Sequence, residues 1–328
     1  MREQKPIDQA LQDFLDEQAA SSSPPASMTN EERVQIVRSR FVRSLESRSF
    51  IPGLPNEVER HDVKIAPDLN ARLYLPPHAA SLSVLVYLHG GGWVAGSVAT
   101  LDPFCRLLSQ AAGIIVVSVE YRLAPEHPYP AAIEDTLITI HWVIENAARW
   151  GGDPARLALG GDSAGANLAA VAANQLCSTT KAQLLHALLL LYPVTDHPSA
   201  NHASYRENAS GYGLEANVMH WFWKQYAPHV SPDDPNVSPL RLQQVPVLPP
   251  TFVATAQYDV LRDEGIAYAQ KLAISGIAVT HLHAPDMNHN FVATPATVGR
   301  FPQGDATLTQ IAHWLWAILT PSESNQAS

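Results

Sequence analysis

The sequence predicts an α/β fold: a mostly parallel sheet covered by helices on both faces. Three observations carry that prediction. From residue 84 onward, short apolar runs (VLVYLH, IIVVSVE, RLALG, ALLLLYP, PTFVATA and AVTHLH) lack polar alternation, as strands covered on both faces do. Helical stretches lie between them, and strands separated by helices imply parallel pairing with right-handed crossovers to both sides. Third, 328 residues with 46% hydrophobic and 16% charged content suffice for a large core in one or two domains.

Taken in order, residues 3–19 read as a helix and SSSPPAS at 21–27 as a linker. Thr29 and Glu32 form a capping-box pattern ahead of a helix through about residue 47, which FIPGLPN ends. VERHDVKIA and ARLYLP are strand-like. LDPFCRLLSQAAG, AAIEDTLITIHWVIENAARW and residues 164–177 read as helices between the apolar strands. No internal repeat is present. Residues 197–240 break the rhythm: they hold Gly211, Gly213, five prolines and the aromatic helix MHWFWKQY, but no convincing strand. Excursions of this length in α/β domains are often lids. The chain thus divides into an N-terminal helical cap segment (1–50), a core (51–196), a cap insertion (197–240), a second core part (241–320) and a tail (321–328).

Composition excludes several functions. The net charge is −10, from 31 acidic and 21 basic residues, and no basic cluster appears, so a nucleic-acid partner is not expected. No apolar run reaches about eighteen residues, so no membrane span is expected. The opening MREQKPIDQALQDFLDEQ is charged throughout and lacks the apolar centre of a signal peptide; a cytoplasmic protein is the expectation. Cys105 and Cys177 have no metal or redox spacing and read as buried free thiols. Neither a metal nor a cofactor is expected. The oligomeric state is left open, a homodimer included.

The chemistry concentrates in LALGGDSAGANLAAVA, residues 157–172. Ser163 could be an ordinary N-cap. Alternatively, Gly161-Asp162-Ser163-Ala164-Gly165 fits G-x-S-x-G, a sharp strand-to-helix turn that exposes a nucleophilic hydroxyl. The pentapeptide alone does not decide, and the second reading needs a base, a carboxylate and oxyanion donors at other strand ends. YLHGGGWVAGS offers the donors, because glycine lets backbone N–H groups approach a substrate closely. Gly90, Gly92 and Ala95 also fit a loose dinucleotide fingerprint, but that motif should open directly into a helix, and here Trp93 fills the turn. Asp259 falls at the end of the strand in TFVATAQYDVLRDEG, while Asp263 and Glu264 fall inside the following helix start, where acids serve the dipole. Most of the fourteen histidines have ordinary places: His281 and His283 in a strand, His141 and His313 on helices, His127 in a proline-rich turn. His289, in PDMNHNF, sits in a polar loop just after the last strand.

The order Ser163, Asp259, His289 is that of α/β-hydrolases. With HGGGW (89–93), YRLAPEHPYPAAIED (121–135), GDSAGAN (161–167), DVLRDEG (259–265) and HNF (289–291), the sequence resembles the esterases and lipases similar to mammalian hormone-sensitive lipase. The resemblance implies an eight-stranded α/β-hydrolase core under a helical cap. It implies metal-free hydrolysis of small carboxylic esters, with short-to-medium acyl chains, through an acyl-enzyme. Ser163 would be the nucleophile, His289 the base and Asp259 its orienter; Gly91, Gly92 and Ala164 would supply the oxyanion N–H groups. Three positions depart from the family pattern: Ala166 and Asn290 stand for glycines and Val260 for a proline; none removes a catalytic atom, and Asn290 is the one placed to tilt His289. An apolar roof over Ser163 is expected from Val34, Val37, Phe41 and Val42 in the N-terminal helix and from Met219, Trp221, Phe222, Trp223 and Tyr226 in the insertion. Trp93, Phe41, Trp221 and Phe222 are the expected substrate contacts. The alternatives are an amide hydrolase using the same triad and a catalytically silent small-molecule receptor on this fold, the latter disfavoured by the presence of His289.

Overall fold

The structure, a computed structural model, describes residues 9–19, 28–46, 51, 53–77, 82–179, 184–294 and 296–320. The linker expected at 21–27, the start of the first helix at 3–8 and the tail at 321–328 lie outside the described residues.

Eight strands form one sheet: β1 (Glu59–Ala66), β2 (Leu69–Leu75), β3 (Leu82–Leu88), β4 (Ile115–Glu120), β5 (Gly152–Asp162), β6 (Ala187–Leu191), β7 (Thr251–Tyr258) and β8 (Val279–Asn288). Their order is β1-β2-β4-β3-β5-β6-β7-β8. The β1–β2 and β2–β4 pairs are antiparallel; the other pairs are parallel. The apolar runs give the inner strands because both of their faces are covered. Val84, Val86 and Leu88 belong to one apolar cluster, and Leu85 and Tyr87 to another across the sheet, as the two-residue period of a strand dictates.

The helices supply the covers. On the first face lie α4 (Ala131–Asn146), α5 (Ala164–Cys177) and α8 (Arg262–Ile274); on the second lie α3 (Val98–Ala112) and α9 (Pro302–Leu319). α3 begins three residues earlier than its apolar pattern suggests, because Ser97 and Thr100 form a reciprocal capping box. In the parallel part of the sheet, Leu88 pairs with Gly161 and Asp162 with Leu191, so the strand ends leave the sheet at one level.

Residues 197–240 fold into α6 (Ala203–Glu207), α7 (Ala216–Tyr226) and short 3₁₀ turns, with no strand among them. α7 buries Met219, Trp221, Phe222, Trp223 and Tyr226. Two earlier helices, α1 (Gln9–Ala19) and α2 (Asn30–Glu46), part company. α2 opens with the expected capping box: the Thr29 N–H donates to Glu32 Oε2 at 2.8 Å and the Glu32 N–H to Thr29 Oγ1 at 3.2 Å. It lies on α7, where Trp221 Nε1 donates to Asn30 Oδ1 at 2.9 Å and the Arg33 guanidinium sits 4.7 Å over the Trp221 ring. α1 instead packs on the chain that follows β8. Phe14 meets Phe301 edge-on at 5.5 Å, and Arg300 pairs with Glu17 at 2.8 Å. The Leu11, Phe14 and Leu15 stripe of α1 belongs to the second apolar cluster, whereas Val34 of α2 belongs to the first. Among the described residues, no helix is long and apolar enough to cross a membrane.

Candidate active site

Ser163 occupies the single position between β5 and α5. Its φ is 55° and its ψ −117°, a strained conformation for a side-chain-bearing residue. The glycines around it make the turn possible. A Cβ at Gly161 would collide with the Gly165 backbone, and one at Gly165 with the Leu88 carbonyl. Ser163 makes no side-chain capping bond, so the N-cap reading falls. Its backbone N–H donates to Leu191 O at 2.9 Å, fixing the turn to the neighbouring strand.

The hydroxyl instead meets His289. Ser163 Oγ lies 2.9 Å from His289 Nε2, and His289 Nδ1 lies 2.7 Å from Asp259 Oδ2. A carboxylate can only accept here, so Nδ1 carries the proton and Nε2 is left to accept from the serine. Asp259 is the first residue after β7; its other oxygen accepts the Leu261 N–H at 2.9 Å. Ser163 and His289 are each 5% exposed and Asp259 1%, which strengthens their mutual interactions by excluding water. With Asn290 beside it, His289 still reaches both of its partners. The Asn290 φ of 64° is a left-handed conformation that asparagine tolerates, so the turn a glycine would make is made here too.

The two rejected acids do other work. Asp263 accepts the Ser204 N–H at 2.7 Å and pairs with Arg262 at 2.8 Å. Glu264 is fully buried and receives the N–H groups of Thr195 and Asp196 at 2.7 and 3.1 Å. Burial pushes its carboxyl well above the usual carboxylate range.

Gly91 and Gly92 follow β3 with φ of 118° and 61°, and a Cβ on Gly92 would collide with the Phe222 ring. None of the N–H groups of Gly91, Gly92 and Ala164 is donated to a protein acceptor among the described residues. The dinucleotide reading fails, because α3 begins only at Val98, after a turn through Trp93. Trp93 is 1% exposed and stacks on Tyr226 at 4.3 Å and 5°, joining the glycine turn to α7. Trp221 packs on α2 as described, and Phe41 is half-buried on α2. Of the expected substrate contacts, Phe222 is the one set directly on the glycine turn.

Three contributors escaped the sequence. Tyr192, just beyond β6, places its ring edge-on to His289 at 4.9 Å, and its hydroxyl accepts the Ala293 N–H at 3.2 Å. Its only sequence signal is its place at a strand end. Arg38 of α2 donates to Val94 O at 2.9 Å and pairs with Glu126 at 2.7 Å, fixing α2 over the turn after Trp93. Asp162 packs on Gly90, inside the motif whose reading rests on its glycines, its serine and the Ala164 N–H.

The chain is similar to proteins of known activity. Residues 85–293 match the family described as the alpha/beta hydrolase fold. The chain is 38% identical over 298 residues to carboxylesterase NlhH of Mycobacterium tuberculosis, covering 88% of this chain and 93% of that one. It is 39% identical over 241 residues to ethyl acetate hydrolase of Pseudomonas putida, covering 72% and 75%. Among solved structures, a hyperthermophilic esterase from the archaeon Pyrobaculum calidifontis aligns with a TM-score of 0.85 at 34% identity, over 95% of this chain and 99% of that one. The chain belongs to the α/β-hydrolase family, in its hormone-sensitive-lipase-like branch, and is a carboxylic-ester hydrolase.

Proposed function

We propose that this esterase works through Ser163, His289 and Asp259 on esters of short-to-medium acyl chains. The observation that carries the reading is the unbroken hydrogen-bonded chain from Ser163 Oγ through the imidazole to Asp259. Ser163 Oγ attacks the ester carbonyl while His289 Nε2 takes its proton. Asp259 holds the Nδ1–H tautomer and stabilises the imidazolium that forms. The carbonyl oxygen gains negative charge facing the N–H groups of Gly91, Gly92 and Ala164, which are set in place before the reaction begins. His289 then protonates the leaving alcohol, and water attacks the acyl-enzyme by the same route.

The substrate range follows from the roof. Phe222 rests on the glycine turn with Trp221 packed on it, and Trp93 of that turn packs on Trp223 and Tyr226 of the same helix. An apolar roof rewards burial of acyl methylenes at about 0.8 kcal/mol each, up to the length it can enclose. The net charge of −10 supports a small-molecule partner rather than a nucleic acid. The two buried free thiols support a reducing compartment, the cytoplasm.

The test is Ser163→Ala on p-nitrophenyl butyrate. Turnover should fall more than about a thousandfold with the fold retained, and a serine-directed fluorophosphonate should no longer label the protein. A folded alanine variant that stays active and is labelled at another serine would overturn the assignment.

A further inference from the structure

Two segments build the oxyanion site, and one side chain lies between them. Asp162 ends β5, one residue before Ser163, and is 1% exposed. Gly90 opens the glycine turn, separated from the end of β3 by one residue, His89. A Cβ on Gly90 would collide with Asp162 Oδ2 and lie 3.2 Å from its Cγ, so the carboxylate occupies the space a side chain there would need. Tyr87, on β3, donates its hydroxyl to Asp162 Oδ1 at 3.2 Å. The groups that face Asp162 are Tyr87 from β3, Cys105 from α3, Tyr121 beyond β4, Tyr192 beyond β6 and His289 beyond β8. Burial, with the Asp162 charge after it, keeps the three phenols protonated. Of these groups only His289 becomes cationic, and it does so during attack.

We propose that Asp162 is a positioning residue for ester hydrolysis: its ionised carboxylate ties the Gly90 turn to the elbow, keeps the Gly91 and Gly92 N–H groups aimed above Ser163, and favours the imidazolium of His289. This rests on the roles given above to Ser163, His289 and the glycine turn. Protonation removes both the charge and one acceptor. Burial works toward that outcome and pushes the carboxyl up to about 7, against hydrogen bonding from Gly90, the charge of His289 and the Tyr87 hydroxyl. The active free enzyme therefore needs two groups deprotonated, His289 and Asp162. Protonation of Asp162 therefore adds a second proton to the acid side of kcat/KM, which reports the free enzyme.

The experiment follows p-nitrophenyl butyrate hydrolysis by the full chain from about pH 5 to 9. In the wild type, log kcat/KM should fall on the acid side with a slope approaching two. Asp162→Asn should fall with a slope of one. Its kcat should drop about ten- to hundredfold, less than outright loss of an oxyanion donor costs, with KM within about twofold. A merely structural role would not change the number of protons. Tyr87→Phe removes a donor to the ionised form, so the second ionisation should move to higher pH. A one-proton limb in the wild type, or a two-proton limb retained in Asp162→Asn, overturns the proposal. If Asp162→Asn fails to fold, Tyr87→Phe decides, and an unmoved limb overturns it. Ser163→Ala separates the two readings. Retained turnover there removes the nucleophile; a dead Ser163→Ala beside a one-proton wild type removes only Asp162.

Discussion

At the residue scale, the acids around the site differ in what they hold, and this sets their mutational costs. Asp259 fixes the His289 tautomer, so Asp259→Asn should lower kcat by about 10⁴. Asp263 holds Ser204 and Arg262 rather than His289, and Asp263→Asn should cost less than about tenfold. Steady-state kinetics on both variants checks the choice of acid, and the reverse ranking would show it to be wrong. Asp162 adds a conflict between stability and activity. Its folded pKa, about 7, lies above the ordinary 3.8, so the folded protein binds the extra proton. Its contribution to stability is full below the unfolded value and is lost as pH rises through the folded one. The Tm of Asp162→Asn, relative to wild type, should therefore climb between about pH 4 and 7. A pH-independent difference in the two melting curves would show that the buried carboxyl does not titrate there. The triad was legible in the sequence because each member sits at a strand end, in one chain order. Tyr192 and Asp162 were not, because their roles arise from contacts with His289 and Gly90, residues distant in sequence.

At the element scale, the elbow depends on the absence of side chains more than on their presence. α5 leaves the sheet close enough to β3 that a methyl at Gly165 would meet the Leu88 carbonyl. The obstacle is backbone, which cannot rotate aside. Gly165→Ala should thus cost about 1–3 kcal/mol or more and lower kcat as well, since any shift of α5 moves the Ala164 N–H. Thermal melting with kinetics tests this; a variant with unchanged Tm and kcat would mean that the helix has room to move. Most elements were readable from pattern: the apolar runs became β3, β4, β6 and β7, and the aromatic stretch became α7. The errors lie at the ends. β8 runs on to Asn288, through the polar stretch that read as loop, because its pairing with β7 continues past an irregularity. α3 starts at a cap its apolar spacing did not mark. Such boundaries are set by hydrogen-bond partners, which periodicity does not encode.

At the scale of the whole molecule, the two N-terminal helices do different work, and truncation should separate them. α2 is fastened to α7 through Asn30 and Trp221, and to the turn after Trp93 through Arg38, so it holds one wall of the roof. α1 is fastened to Phe301 and Arg300, in the chain that leads on from His289. Deleting residues 1–27 removes α1 and exposes the partners of Leu11, Phe14 and Leu15. Each buried apolar side chain of that size contributes about 1.5–3 kcal/mol, so Tm should fall, while the preference among acyl chain lengths should persist because the roof is intact. Deleting residues 1–45 removes α2 as well. That loss opens the roof above Phe222, lowers kcat/KM for short-to-medium esters, and flattens the profile by admitting longer chains. The measurement is kcat/KM for p-nitrophenyl esters of increasing acyl length, on the full chain and on both truncations, with melting curves alongside. If the longer truncation stays folded and keeps the full chain's profile, α2 does not shape the substrate range, and the limit on acyl length must come from α7 and the core alone.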